Sequence, residues 1–241
     1  MHEILYSIIV PAFNEAEVIA GTLGNIQASM QQINTHGELI LVDNNSTDDT
    51  ARIAESCGAI IVHEPIRQIA RARNAGAAKA RGRYLIFIDA DTRVTTQLLN
   101  ESLQLLTSDR IAGGGARVEF DVEQPFFARA ILRFWQTISR AARLAAGCFV
   151  FCTAEAFKQA GGFDEKVFAS EEIGFSFRVR AWATTHHQRF VIIDKPGITT
   201  SSRKNKSPLQ ILATMLLFSL FPVATRFRSM CFLWYSCRHQ S

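Results

Sequence analysis

Acidic residues are absent from the C-terminal part of the chain. All 22 of them lie at or before Asp194, whereas seven lysines and arginines stand between Lys195 and Ser241. The formal net charge of the 241 residues is only +4, so the body is slightly acidic and the tail is basic. Such a tail is typical of a protein that meets phosphates or an anionic membrane surface. No basic stripe on one helix and no basic-aromatic sheet pattern is evident, which argues against nucleic acid as a partner.

Further absences narrow the class of protein. The opening strand is not followed by G-x-G-x-x-G, so a nicotinamide-binding Rossmann enzyme is disfavoured. The start lacks the regions of a secretory signal, and the five cysteines are odd in number and scattered. We therefore expect a cytoplasmic protein with buried, structural cysteines. Cys148 and Cys152 could form half of a metal site, but no second Cys/His pair stands at zinc spacing.

Apolar runs alternate with helical stretches over the first hundred residues. The runs are LYSIIV, ELILVD, AIIVHE and YLIFID, and helices are predicted over about 15–33, 46–57 and 70–80. This alternation is typical of βαβ units and predicts a mainly parallel α/β sheet with both faces covered by helices. We expect one domain over 1–200 and a separate tail over 201–241. Gly113-Gly114-Gly115 is interpreted as a flexible turn before a strand ARVEF.

The polar motifs stand where the predicted strands end, and ligands bind at that edge of an open α/β sheet. Asp89 and Asp91 follow YLIFI closely enough for both carboxylates to reach one point. Two such hard oxygen ligands favour Mg²⁺ or Mn²⁺, with substrate phosphates and water completing the shell. Alternatively, one aspartate caps the next helix and the other is solvated.

Four stretches in this order resemble the inverting glycosyltransferases of family 2, which have the GT-A fold. They are SIIVPAFNE, LVDNNSTDD, ARARNAG followed by YLIFIDAD, and AGCFVFCTAEAFKQAGGFDE leading into ASEEIGFSFRVR. Together they span about residues 7 to 180. The resemblance implies a Rossmann-like, mainly parallel sheet, a nucleotide-sugar donor, Mn²⁺ or Mg²⁺, a nucleotide-binding half over 1–110 and an acceptor half over 111–200.

The resemblance also assigns site residues. Metal binding falls to Asp91 with Asp89, the two aspartates that flank Ala90. Arg71 and Asn74 are expected near the nucleoside or the diphosphate. The residues expected to cradle the nucleoside are Pro11, Ala12, Phe13, Asn14, Glu15, Asp43 and Asn44. The family commonly has a second aspartate where Asn44 stands, and an amide both donates and accepts hydrogen bonds, so the identity of the base stays open.

An acidic pair follows the GGFDE motif. By resemblance, Glu172 stands where the family usually has an aspartate that acts as general base, and Glu171 could share or take over that role. A carboxylate there can accept the proton of an attacking hydroxyl. Alternatively, the pair is a solvated first turn of the helix IGFSFRVRAW, favoured by the helix dipole. One of Arg178 and Arg180 could help to neutralise the diphosphate.

Two segments could meet a membrane. Residues 124–154 contain no acid and interleave arginines with apolar side chains, so they could lie in a membrane interface or pack on the sheet. Residues 207–225 carry no charge, but Pro208 and Pro222 leave a helical part of about 14 residues, too short to span a bilayer. We expect an in-plane or partly inserted helix on the cytoplasmic face. The alternative is a helix in the core or in a dimer interface.

Two other functions compete with the transferase. D-A-D-T after an apolar strand also looks like the nucleophile motif of haloacid-dehalogenase-type phosphatases, although that family places it on the opening strand. A non-catalytic, membrane-associated adaptor with a transferase-like fold is favoured by Glu172 and Asn44 standing where aspartates are usual. We expect the transferase, with a glycan, a lipid or a lipid phosphate as acceptor.

Overall fold

An eight-stranded sheet forms the centre of the protein. The computed structural model describes residues 3–120, 137, 141, 143–201, 222–231 and 235. The strands, in the spatial order β3-β2-β1-β4-β7-β6-β8-β5, are β1 (Tyr6–Ala12), β2 (Gly37–Asp43), β3 (Ile60–His63), β4 (Tyr84–Ile88), β5 (Thr92–Arg93), β6 (Ile111–Phe120), β7 (Phe149–Thr153) and β8 (Arg189–Thr200). The α-helices are α1 (Ile19–Gln31), α2 (Thr50–Ser56), α3 (Ile69–Lys79), α4 (Thr96–Thr107), α5 (Ala154–Gln159) and α6 (Glu171–Thr185). Two 3₁₀-helices follow, η1 (Pro222–Arg226) and η2 (Arg228–Met230).

The first half of the sheet is parallel, as the alternating pattern predicts. β1 pairs in parallel with β2 and with β4, and β2 pairs in parallel with β3. Successive residues of β1 face opposite sides, so Ile8 and Val10 join one core cluster while Ile9 joins the other. Helices α1 and α4 contribute to the first cluster, and α3 and α6 contribute to the second. Both faces of the sheet are therefore covered.

The second half of the sheet is mixed. β7 runs antiparallel to both β4 and β6, whereas β6 runs parallel to β8. The interpretation of Gly113-Gly114-Gly115 as a turn is wrong, because these residues lie within β6 and pair with β7. A Cβ atom at Gly113 would come within 2.7 Å of the Phe151 carbonyl oxygen. The glycines therefore allow close strand packing rather than a turn.

The first two helices begin later than predicted. The Glu15 carbonyl accepts hydrogen bonds from Val18 and Ile19, which form a turn ahead of α1. The Thr50 hydroxyl accepts the backbone N–H of Glu15 at 2.8 Å, so the residues before α2 hold the loop before α1. The polar residues ahead of α1 and α2 thus hydrogen-bond the two preceding loops to each other. The helices therefore begin only at Ile19 and Thr50.

Nearly all of the 207–225 segment and much of the 124–154 segment lie outside the described residues. Within the part that is described, no helix has the length and apolar character needed to cross a membrane. Cys57, Cys148, Cys152 and Cys231 form no disulfide, and Cys237 lies outside the described part.

Candidate active site

The carboxyl ends of neighbouring strands bring the sequence motifs to one edge of the sheet. Ala12 at the end of β1 pairs with Asp43 at the end of β2. Next to them, Asp89 follows β4, and its backbone N–H donates to the carbonyl of Cys148, just before β7, at 3.3 Å. The predicted nucleotide and metal residues are thus on the same edge as the start of β7.

A buried guanidinium connects this edge to the acidic pair. The Arg73 side chain is 1% exposed, and its Nη2 atom donates to Asp89 Oδ1 at 3.0 Å and to the Gly147 carbonyl at 2.7 Å. Its Nη1 atom donates to Glu171. Burial alone lowers the pKa of Arg73, but the carboxylates of Glu171, Asp89 and Glu172 raise it above its usual range. Arg73 therefore stays charged and links Asp89 to the start of α6.

Sequence analysis missed Arg73, although a signal was present. Ala70, Arg73 and Gly76 recur at three-residue spacing on α3 and form part of its buried face. An arginine at such a position requires buried carboxylate partners. Arg71, which the resemblance singled out, instead lies on a more exposed face and pairs with Glu64 and Glu165 at 3.2 and 2.8 Å.

The two glutamates of the acidic pair have different surroundings. Glu171 is 4% exposed and is paired with Arg73, and burial raises its pKa although Arg73 opposes the shift. Glu172 is half-buried, and burial together with the charge of Glu171 raises its pKa to about 8. Both begin α6, as the helix pattern predicts.

Cys148 lies beside the acidic groups at this edge, since its carbonyl accepts the backbone N–H of Asp89. Burial and the nearby carboxylates of Asp89, Asp91 and Glu172 raise the pKa of the Cys148 thiol, against the charge of Arg73. No group of three or more His, Cys, Asp or Glu side chains is arranged for a metal among the described residues. The residues at this edge that could hold a cation are Asp89 and Asp91, with its other ligands coming from substrate phosphates and water.

The residues predicted to cradle the nucleoside at the end of β1 include both strand residues and residues of the loop that follows. Pro11 and Ala12 end the buried strand β1, and the Phe13 ring lies 3.6 Å from the guanidinium carbon of Arg67. Asn14 has a φ of 50°, and its Oδ1 atom accepts the backbone N–H of Thr47 at 2.8 Å. The described contacts of Asn14 therefore hold the loop after β2, while Phe13 presents an aromatic surface beside it.

Asn44 holds a different loop. Its Nδ2 atom donates to the carbonyls of Glu64 and Ile66 at 3.1 and 2.6 Å, and its Oδ1 atom accepts the backbone N–H of Gln68 at 2.8 Å. Both donors of the amide are engaged in this loop. Asp43 accepts from Ser46 N–H at 3.2 Å and lies 3.3 Å from His63 Nδ1.

Asn74 and Arg178 shape the loop between α5 and α6. The Asn74 side chain accepts from the Phe163 N–H and donates to the Phe163 carbonyl, each at 2.9 Å. Arg178 donates to the carbonyls of Ala160 and Gly162. The guanidinium of Arg178 is thus bound to this loop, and that of Arg180 lies 5.8 Å from the Phe177 ring centroid.

Residues 7–160 match the protein family described as Glycosyl transferase family 2. Among curated relatives, the chain is 29% identical over 111 residues to the Escherichia coli UDP-Glc:alpha-D-GlcNAc-diphosphoundecaprenol beta-1,3-glucosyltransferase WfaP. The matched region covers 44% of this chain and 43% of WfaP. It is 31% identical over 108 residues to the putative teichuronic acid biosynthesis glycosyltransferase TuaG of Bacillus subtilis (strain 168), 42% of each chain. The chain thus matches less than half the length of these relatives.

Solved structures support the fold. The mannosyltransferase PcManGT from Pyrobaculum calidifontis, in complex with GDP-Man and Mn²⁺, superposes with a TM-score of 0.68 at 19% identity, over 94% of this chain and 64% of that chain. TarS 1-349 from S. aureus in complex with UDP-GlcNAc gives 0.65 at 16% identity, over 89% and 67%. At such identity the likeness shows the GT-A fold alone. Because the family match covers more than half of the chain, the protein belongs to glycosyl transferase family 2.

Proposed function

We propose that the protein transfers a sugar from a nucleoside-diphosphate sugar to a lipid-linked acceptor, with inversion at the anomeric carbon. The observation that carries this proposal is the buried Arg73 guanidinium, which joins Asp89, at the carboxyl edge of the sheet, to Glu171, the neighbour of Glu172 at the start of α6. An in-line displacement needs a stabilised leaving group on one side of the sugar and a proton acceptor on the other.

Asp91 and Asp89 would hold Mn²⁺ or Mg²⁺. Such an ion offsets the charge that develops on a diphosphate leaving group. The presence of two carboxylate ligands supports the assignment, since Mg²⁺ is usually bound by one or two carboxylates together with substrate phosphates. The structure of PcManGT in complex with GDP-Man and Mn²⁺ supports it by likeness of fold.

Glu172 is our choice for the general base. Glu171 is buried and ion-paired with Arg73, so it is poorly placed to take a proton from an acceptor. Glu172 is half-buried beside it, and its raised pKa suits a carboxylate that exchanges a proton near neutral pH. Were the acceptor a lipid phosphate, it would attack already ionised, and loss of Glu172 would then leave transfer largely intact.

Arg73 acts as a positioning residue in this scheme. It holds Asp89 through one terminal nitrogen and Glu171 through the other, so the metal-binding loop and the first turn of α6 keep a fixed separation. A lysine could not bridge the same two carboxylates, because its ammonium is a single compact charge. Placement of reacting groups to within about 1 Å matters for rate.

The donor would lie along the ends of β1 and β2. Asp43 could accept a hydrogen bond from a ring N–H of the base, a donor that uracil and guanine have and neutral adenine lacks, and the Phe13–Arg67 pair offers a flat surface beside it. Asn44 contributes indirectly, because its amide holds the 64–68 loop in place. We therefore expect the protein to bind UDP or GDP rather than an adenine nucleotide.

A lipid-linked acceptor is supported by one relative and by charge. The name of WfaP states that it acts on a diphosphoundecaprenol-linked sugar. The basic, acid-free stretch from Lys195 to Ser241 suits an acceptor that carries a diphosphate at the cytoplasmic face of a membrane. In this proposal residues 1–110 bind the donor and residues 111–200 bind the acceptor.

The test is a thermal-shift and turnover screen. UDP and GDP are each added with and without Mn²⁺, and the nucleotide-sugars are then incubated with a cell lipid extract and analysed by mass spectrometry. We expect metal-dependent stabilisation by one nucleotide and a glycosylated lipid product. Nucleotide binding without release of nucleotide from any sugar donor would instead favour a non-catalytic adaptor.

A further inference from the structure

We propose that the outward face of residues 223–230 is a docking surface for an anionic lipid bilayer. Residues 222–231 are held against the loop that precedes the acidic pair, and their outer side is apolar and basic. Docking there would keep the acceptor side of the site at the membrane. This inference rests on the proposed lipid-linked acceptor, and the experiment below separates the two.

The inner side of this segment is anchored beside the active site. Ala224, Thr225 and Cys231 are buried, and the Thr225 carbonyl accepts the backbone N–H of Phe168 at 2.6 Å. Phe168 stands three residues before Glu171, where α6 begins. The segment therefore has a fixed place next to the acidic pair.

Tyr235 extends the anchorage to the donor side. Its hydroxyl oxygen accepts the backbone N–H of Ile69 at 3.3 Å, and its ring packs edge-on against Phe168 with centroids 5.6 Å apart. The guanidinium carbon of Arg67 lies 5.8 Å from the Tyr235 ring and 3.6 Å from the Phe13 ring. The C-terminal residues thus connect with the end of β1 as well as with the loop before α6.

The outer side carries exposed apolar side chains. Val223, Phe227 and Met230 are 59%, 53% and 45% exposed, and they are three of the five large apolar side chains that are exposed in the described part of the chain. Phe227 N–H donates to the Ala224 carbonyl and Met230 N–H to that of Phe227, at 3.1 and 3.0 Å. Phe227 lies between η1 and η2, and its hydrogen bond to Met230 closes the single turn of η2, so the two side chains stand at the two ends of one turn. Such a cluster marks an interaction surface.

The charge of the segment selects the partner. Exposed Arg226 and Arg228 flank Phe227, and no acid follows Asp194 in the sequence. Apolar side chains between arginines are the composition of a surface that inserts among anionic headgroups. A symmetric contact between two copies would place these arginines against one another, and like charges would repel.

Flotation of the full-length chain with vesicles tests the proposal. The vesicles contain phosphatidylcholine with or without phosphatidylglycerol, and the variants are F227S/M230S and R226Q. Phe177→Ser is the matched control, because Phe177 is 52% exposed but lies on α6, outside the docking surface. We expect binding only with phosphatidylglycerol, weakened about tenfold or more in F227S/M230S and about fivefold in R226Q. The F177S variant should bind like the unmodified chain.

Equal flotation of F227S/M230S and the unmodified chain would overturn the proposal, because binding would then depend on other segments. A concentration-dependent dimer that F227S/M230S abolishes, without flotation of the unmodified chain, would assign the face to a second copy instead. Metal-dependent stabilisation by UDP or GDP, measured on each variant, reports on the proposed function separately. If neither nucleotide stabilised the protein in the presence of metal while flotation gave the expected results, the donor assignment would be refuted. The docking surface would then still be supported.

Discussion

Replacement of Arg73 by methionine should separate the structural and the catalytic roles of the buried ion cluster. The change leaves Glu171, which is 4% exposed, without its ion-pair partner. It also removes the positive charge that pairs with Asp89. Breaking a buried pair by removing one member costs about 3–5 kcal/mol in the free energy of unfolding. Without Arg73, burial and the charge of Asp89 act on Glu171 unopposed by a guanidinium, so its pKa rises further, and R73M should lose more stability at high pH than at low pH.

The double variant R73M/E171M tells the two roles apart. Replacing both partners by apolar side chains should recover much of the lost stability, because the fully buried carboxylate of Glu171 is then removed together with its partner. Turnover should nevertheless stay low, since Asp89 keeps no guanidinium to hold it. The assays are urea unfolding and release of nucleotide from the sugar donor in the presence of Mn²⁺.

Arg71→Met serves as the control, because Arg71 is 32% exposed and its partners Glu64 and Glu165 are 11% and 42% exposed, so its loss should cost less than the loss of Arg73. A loss of stability in R73M no greater than in R71M would refute the account of the cluster. So would full turnover in R73M/E171M, because Arg73 would then position nothing.

Three further outcomes are expected. Glu172→Gln should lower turnover about 10²–10⁴-fold with donor binding unchanged, and an equal loss in turnover with intact stability in Glu171→Gln would contradict our choice of base. The folded-state pKa of Glu172 is raised from 4.5 to about 8, so its contribution to stability is present at low pH and is lost as the pH rises through that interval. The melting temperature of the metal-free protein should therefore fall over the same interval, and it should fall less in E172Q. Asn44→Asp should cost about 1–3 kcal/mol, seen in urea unfolding, because it removes both amide donors from the Glu64 and Ile66 carbonyls, and unchanged stability would contradict the role of that amide.

The positions of the elements and of the motifs at the strand ends could be predicted from the sequence. Apolar runs of β1, β2 and β4 specify buried parallel strands, and parallel strands bring their carboxyl ends together. The polar residues that follow them, such as Asp43 and Asp89, were therefore expected at one edge. This inference needs only periodicity and topology.

Contacts between distant segments could not be predicted in the same way. The pairing of Arg73 with Glu171 and the hydrogen bond from Phe168 to the Thr225 carbonyl each join residues far apart in the chain. Local patterns specify neither. The glycine triplet is equally ambiguous from sequence alone. Its composition favours a turn, whereas Gly113 in fact allows close packing of two strands.

The most direct test of the account is titration of UDP and GDP, with and without Mn²⁺, into the unmodified chain and into Asp91→Asn. We expect Mn²⁺ to tighten binding of one nucleotide to the unmodified chain and to leave D91N at the metal-free affinity. An unchanged gain from Mn²⁺ in D91N would contradict the central claim, because the cation would then be held elsewhere.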